Sequence, residues 1–186
     1  MRTFVISDIH GAHKALLQVF EKSKIDYEYD KLIVLGDVFD DWPDIKECFE
    51  ELSKFKNIVY VVGNHDVWAL EHYMFNKPIT NLWYSQGGHA TIQSFGDELS
   101  VEAIDFLKKI VLYYEDAGML FVHAGFDLFN GLKVMDHSDY YWDRTLAYTL
   151  FSIKPYDLSE IETLPIYNEM YSKIFIGHTP TLKFNS

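Results

Sequence analysis

The chain is poor in the residues that build disulfide frameworks, membrane spans and polyanion-binding surfaces. Its single cysteine, Cys48, excludes an internal disulfide. The helical spacing of apolar residues around it predicts a small buried hydrophobe. No apolar run approaches the roughly 20 residues that cross a bilayer, and no secretory apolar segment precedes the first predicted strand. These absences point to a reducing, cytoplasmic interior and to no membrane partner. Basic residues are scarce: 16 Lys and Arg face 28 Asp and Glu, for a formal net charge of -12 and a pI near 5.0. Such a field repels polyanions and disfavours nucleic acid as a partner. Only Arg2 and Arg144 occur as arginine, so a planar, two-pronged phosphate clamp rests on Arg144. Repeats, low-complexity stretches and linkers are lacking too.

What remains is a chain of 186 residues, 48% hydrophobic and 17% aromatic, enough for one α/β domain spanning 1–186 with a full core. Its organising stretch is Gly63-Asn64-His65-Asp66, which follows the apolar run Asn57 to Val62. A Val/Ile-rich run of that length reads as a buried strand, and the Gly-Asn after it as a turn. The pattern recurs four times. Thr3 to Ile6 leads into Asp8-x-His10, Lys31 to Leu35 into Gly36-Asp37-x-x-Asp40, Gly118 to Val122 into His123-Ala124-Gly125, and Lys173 to Ile176 into Gly177-His178-Thr179.

Ligands of open α/β sheets bind outside the carboxyl ends of the strands. Five such ends would bring Asp8, His10, Asp37, Asn64, His123 and His178 together, with His65 beside them. Imidazole, carboxylate and amide oxygen without thiolate suit Mn, with Fe, Zn or Ni as other candidates. Six ligands exceed what one catalytic ion with open positions needs and match two divalent ions about 3.5–4 Å apart.

Between the motifs, His13 to Lys24 and Pro43 to Lys56 read as crossover helices, and Val67 to Tyr73 as a short helix. Periodicity fails from Met74 to Gly96, which predicts an excursion without regular structure near the site mouth. Ser100 to Leu112 returns to helix, with Ser100 as N-cap. A second variable stretch, Phe126 to Met170, contains Tyr140-Tyr-Trp-Asp-Arg144. Its aromatic cluster reads as core packing, with a base-stacking platform as the other option.

In this order and spacing the five motifs resemble the calcineurin-like metallophosphoesterases. The nearest likeness is to the phosphoprotein-phosphatase branch with its bacterial and phage serine/threonine phosphatases and symmetrical dinucleoside tetraphosphatases. Gly87-Gly88-x-x-Thr91 and Trp142-x-Arg144 are similar to that branch as well. The resemblance implies an αββα sandwich with two divalent metals at the carboxyl ends of the strands. Asp8 and His10 would hold one metal, Asn64, His123 and His178 the other, and Asp37 would bridge them. His65, oriented by Asp40, would protonate the leaving oxygen, Arg144 would bind phosphoryl oxygens, and a hydroxide between the metals would attack phosphorus.

The implied activity is hydrolysis of phosphomonoesters, foremost phosphoserine or phosphothreonine in proteins or peptides. The alternatives are a dinucleoside polyphosphate or another phosphodiester or anhydride, and a non-catalytic interaction module on the same fold. Two departures bear on the substrate. Asp41-Trp42 stands where the family carries Arg-Gly, and only Pro180 to Ser186 follow the last motif, where relatives continue into further strands.

Overall fold

Two three-stranded sheets face each other in the computed structural model, which describes residues 1–127, 131–132, 136–152 and 171–180. Strands β1 (Thr3–Ile6), β2 (Lys31–Val34) and β3 (Asn57–Tyr60) lie parallel in that order, with Ile6, Val34 and Tyr60 in register. They are joined by helices α1 (His13–Ser23) and α2 (Ile45–Leu52), the crossovers that parallel strands require. Strands β4 (Tyr113–Asp116), β5 (Met119–Val122) and β6 (Lys173–Phe175) make the second sheet, antiparallel at β4–β5 and parallel at β5–β6.

The period-2 alternation of each strand assigns the layers. Leu32 and Val34 of β2 join Phe20, Phe49, Leu52 and Phe106 under α1, α2 and α6 (Val101–Lys109). Ile33 and Leu35 point the other way, against Phe121 and Phe175 of the second sheet, whose rings stack at 4.9 Å. Leu120 and Val122 of β5 face outward onto Tyr140 and Leu146, which belong to α7 (Asp139–Trp142) and α8 (Thr145–Ser152). Helix, sheet, sheet and helix therefore form the αββα order expected. Both faces of the central strands are covered, which is why they read as unbroken apolar runs. Among the described residues no helix is long and apolar enough to cross a membrane.

Several boundaries differ from expectation, each for a local reason. Strand β3 ends at Tyr60, where Val111 bridges the chain: Val62 N–H donates to the Val111 carbonyl at 2.9 Å and Val111 N–H to the Tyr60 carbonyl at 3.0 Å. The expected turn at Gly63-Asn64 is the start of helix α3 (Asn64–Phe75), longer than Val67 to Tyr73. Asp66 in its first turn accepts the Gly63 N–H at 2.8 Å, which supports initiation there. Helix α2 starts two residues after Pro43. Strand β4 was not expected. Its Tyr-Tyr-Glu-Asp sequence carries little alternation, and pairing to β5 plus the Lys31–Asp116 ion pair at 2.7 Å hold it.

The segment expected to lack regular structure is helical. It holds α4 (Asn81–Trp83), a π turn over Tyr84–Gly88 and α5 (His89–Phe95). Thr80 Oγ1 caps it by accepting the Trp83 N–H at 3.1 Å. Gly87, at φ +98°, makes a kink between helices where the Gly-Gly pair suggested a loop. Burial of Trp83, Ala90 and Thr91 then fixes the segment to the core. Residues 153–170, within the second variable stretch, and 181–186, most of the expected chain end, lie outside the described residues.

Candidate metal centre

The carboxyl ends of β1, β2, β3 and β6 open into one cleft of about 910 Å³, lined by Asp8, His10, Asp37, Asn64, His65 and His178 together with Arg144. His123, after β5, lies fully buried beneath it. The loops that present these groups are strained. Asp8, His10, Asp37, Asp40, Asp41 and His178 all have φ between 48° and 75°, a conformation costing on the order of 1–3 kcal/mol for a side-chain-bearing residue. Two short motif loops also touch: a Cβ on Gly63 would collide with the backbone and carboxylate of Asp37. Glycine is therefore required where the β2 and β3 loops meet.

Asp37 is the centre of the arrangement. It is 2% exposed, and its Oδ2 lies 3.2 Å from His123 Nε2 and 3.7 Å from His10 Nε2. Two clusters share it. Ligand atoms of His10, Asp37 and His65 all lie within 4.8 Å of one another, as do those of Asp37, His123 and His178.

Backbone carbonyls determine which histidine nitrogens face this centre. His10 Nδ1 donates to the Phe39 carbonyl at 2.9 Å, and His123 Nδ1 donates to that of Leu35. A carbonyl only accepts, so in the neutral rings Nε2 carries the lone pair, the tautomer that metal-binding histidines adopt through such contacts. For His123 that lone pair meets Asp37 Oδ2 at 3.2 Å and Asn64 Oδ1 at 3.3 Å, three acceptors pointed at one another. A proton or a metal cation between them resolves the conflict. Burial opposes charging His123, yet Asp37 outweighs it and holds the ring above its ordinary value. His178 differs. Burial, then the neighbouring charges of His123 and Arg144, push it down to about 3, so it stays neutral, and its buried Nε2 has no hydrogen-bond partner among the described residues. This donor set fits divalent cations.

Asp8 is placed less directly. Its carboxylate accepts the His178 N–H at 3.0 and 3.1 Å and the Ser7 hydroxyl, and it belongs to neither cluster. It still lines the cleft.

His65 and Asp40 form a pair, with Nδ1 to Oδ2 at 2.6 Å. Asp40 is fully buried and also accepts from the Thr91 hydroxyl at 2.5 Å and from Trp83 Nε1 at 3.1 and 3.0 Å, while its own N–H donates to Thr91 Oγ1 at 3.0 Å. Burial disfavours the imidazolium, but the Asp40 hydrogen bond and the charges of Asp37 and Asp40 raise His65 above its ordinary value.

Sequence reasoning missed three supports of the site. Asp66 is fully buried and accepts from the N–H groups of Asp37, Val38 and Gly63 at 2.8, 3.1 and 2.8 Å, tying the β2 and β3 loops together. Its position three residues after a glycine at a helix start was the available signal. Trp83 and the binding role of Thr91 were hidden in the segment read as irregular. Asp41 turns into the cleft, its Oδ2 3.6 Å from His10 Nδ1, and among the described residues no lysine lines that cleft.

The model of the calcineurin-like phosphoesterase family matches residues 1–185. The chain belongs to that family. This calcineurin-like chain is 30% identical over 127 residues to a symmetrical bis(5'-nucleosyl)-tetraphosphatase of Methylobacillus flagellatus, covering 67% of its own length and 43% of the relative. A protein of the same name from Coxiella burnetii is 27% identical over 125 residues, 66% of this chain and 41% of the relative. The chain thus spans about two fifths of the curated relatives it matches. A crystal structure of a cold-active protein-tyrosine phosphatase of a Shewanella species superposes with a TM-score of 0.56 at 15% identity, over 95% of this chain and 65% of that one, a likeness of fold.

Proposed function

We propose that the chain is a metal-dependent phosphoesterase with a dinuclear centre, and that Asp37 is the shared ligand. The observation that carries this reading is the pair of His/Asp clusters that meet at the Asp37 carboxylate. His10, with Asp8 from the rim, would hold one divalent ion. Asn64, His123 and His178 would hold the other. Such a pair would supply Lewis acidity toward a phosphoryl group and lower the pKa of water.

The remaining steps belong to the protein. Arg144 lines the cleft beside His178 with its Nε buried and without a hydrogen-bond partner among the described residues, ready to hold phosphoryl oxygens. His65, charged through its bond to Asp40, donates its Nε2 proton to the departing oxygen, a role worth typically 10²–10⁴-fold. Although His65 also falls within the first cluster, we assign it to proton transfer on the likeness of Gly63-Asn64-His65-Asp66 to the family motif, with Asp40 holding Nδ1.

Among substrates we favour a dinucleoside polyphosphate, as the names of the relatives suggest. The phosphoserine or phosphothreonine reading keeps one observation in its favour: Asp41 in the cleft repels a substrate bearing several phosphates. A cytoplasmic location accords with both.

The test is hydrolysis of an aryl phosphate, a phosphothreonine peptide and a dinucleoside tetraphosphate by chelator-stripped protein, with and without added Mn. Mn-dependent turnover with preference for the tetraphosphate is the expected result. Two bound metals without turnover of any substrate would replace this reading with a non-catalytic module.

A further inference from the structure

The Tyr140-Tyr-Trp142 cluster divides into two roles. Tyr140 is buried and stacks on Tyr113 at 5.4 Å, filling the outer core. Trp142 does not. It is 42% exposed and lines the cleft, its ring 5.2 Å from that of Trp68 and 6.0 Å from that of His178. Trp68 in turn sits 5.0 Å from His65, so indole and imidazole rings form a continuous wall beside the candidate phosphate centre. A large apolar side chain kept half-open inside an acid-walled cleft marks a contact surface more than a packing element.

The occupant follows from chemistry and reach. Asp8, Asp37 and Asp41 line the cleft, and Arg144 is the one Lys or Arg among its described lining residues. An uncharged group attached to the phosphate therefore binds there by contact rather than by charge. Asp143 between Trp142 and Arg144 is extended, at φ −68° and ψ 130°, which spaces the two residues by roughly 6.6 Å. That interval is comparable to the ribose between a base and its 5'-phosphate. We propose that Trp142, backed by Trp68, is the nucleobase-stacking face of this cleft, and that its ligand is a 5'-nucleotide moiety whose phosphate lies at Arg144. The proposal rests on the phosphoesterase reading only in where it puts the phosphate.

The test compares AMP with ribose 5-phosphate by titration calorimetry on the full chain with Mn. These ligands share the phosphate and sugar, so their difference isolates the base. AMP is expected to bind about 10-fold more tightly or better, the scale of one aromatic–base stack. Trp142→Ala should bring AMP to the level of ribose 5-phosphate, and Trp142→Phe should retain most of the preference. Should Trp142→Ala fail to fold, Trp142→Leu makes the same comparison with more of the volume kept. Equal affinities in the unmodified protein, no AMP binding, or a preference that survives loss of the indole would each overturn the assignment. Mn-dependent hydrolysis of the aryl phosphate reports separately on the phosphoesterase reading.

Discussion

The two sheets contribute to the cleft in opposite ways. The groups after β1, β2 and β3 are held by the protein itself: Asp66 accepts three backbone N–H groups, Asp40 is bound by Thr91 and Trp83, and His10 by the Phe39 carbonyl. On the side of the second sheet, His178 Nε2 and Arg144 Nε are buried without hydrogen-bond partners among the described residues, and His123 Nε2 faces two oxygen acceptors. One half is a finished framework. The other leaves polar atoms open at the cleft, and each buried polar atom left unpaired costs about 1–3 kcal/mol.

The contrast can be broken most severely at Asp66. Asp66→Ala strands three buried donors and should cost about 3 kcal/mol or more in urea unfolding, whereas Asp66→Asn, which keeps an acceptor, should cost less. Equal losses would show that the carboxylate oxygens do not carry the loops. Next, adding Mn should stabilise the protein, by about 2.7 kcal/mol at 100-fold over the dissociation constant, and His178→Ala should reduce the gain measured by thermal unfolding. A gain unaffected by that substitution would remove His178 from the centre.

Thr91→Val probes the finished half more gently. It removes both hydrogen bonds between the hydroxyl and Asp40, at a cost of about 1–3 kcal/mol in stability, and should lower kcat with little change in KM. The smallest effect belongs to Asp41→Asn, which should lower KM for a polyphosphate by a few-fold, since half-exposed charges interact weakly. A rise in KM would mean that Asp41 contacts substrate favourably.

The same contrast governs what could be read from sequence. The five strand ends were legible because short Val/Ile runs buried on both faces end in glycine-rich loops with Asp, Asn or His, a local pattern. The expected ligands and His65 do lie together at one cleft or directly beneath it. Asp66 was not legible, since an acid in the first turn of a helix looks like an ordinary cap until its three donors, from two loops, are seen together. Trp83 escaped because Gly87-Gly88 disguised a kinked pair of helices as a loop. Strand β4 escaped because its pairing, not its own residues, makes it a strand. The framework is local in sequence, but its supports are tertiary.

The central claim is two ions sharing Asp37, with His65 kept for proton transfer. Elemental analysis of Mn-loaded protein, run beside Asp37→Asn and His65→Asn with turnover of an aryl phosphate, tests it most directly. The account predicts two metals per chain in the unmodified protein, loss of at least one in Asp37→Asn, and two retained in His65→Asn with turnover down by two decades or more. Unchanged metal in Asp37→Asn, or metal lost in His65→Asn in step with activity, would contradict it.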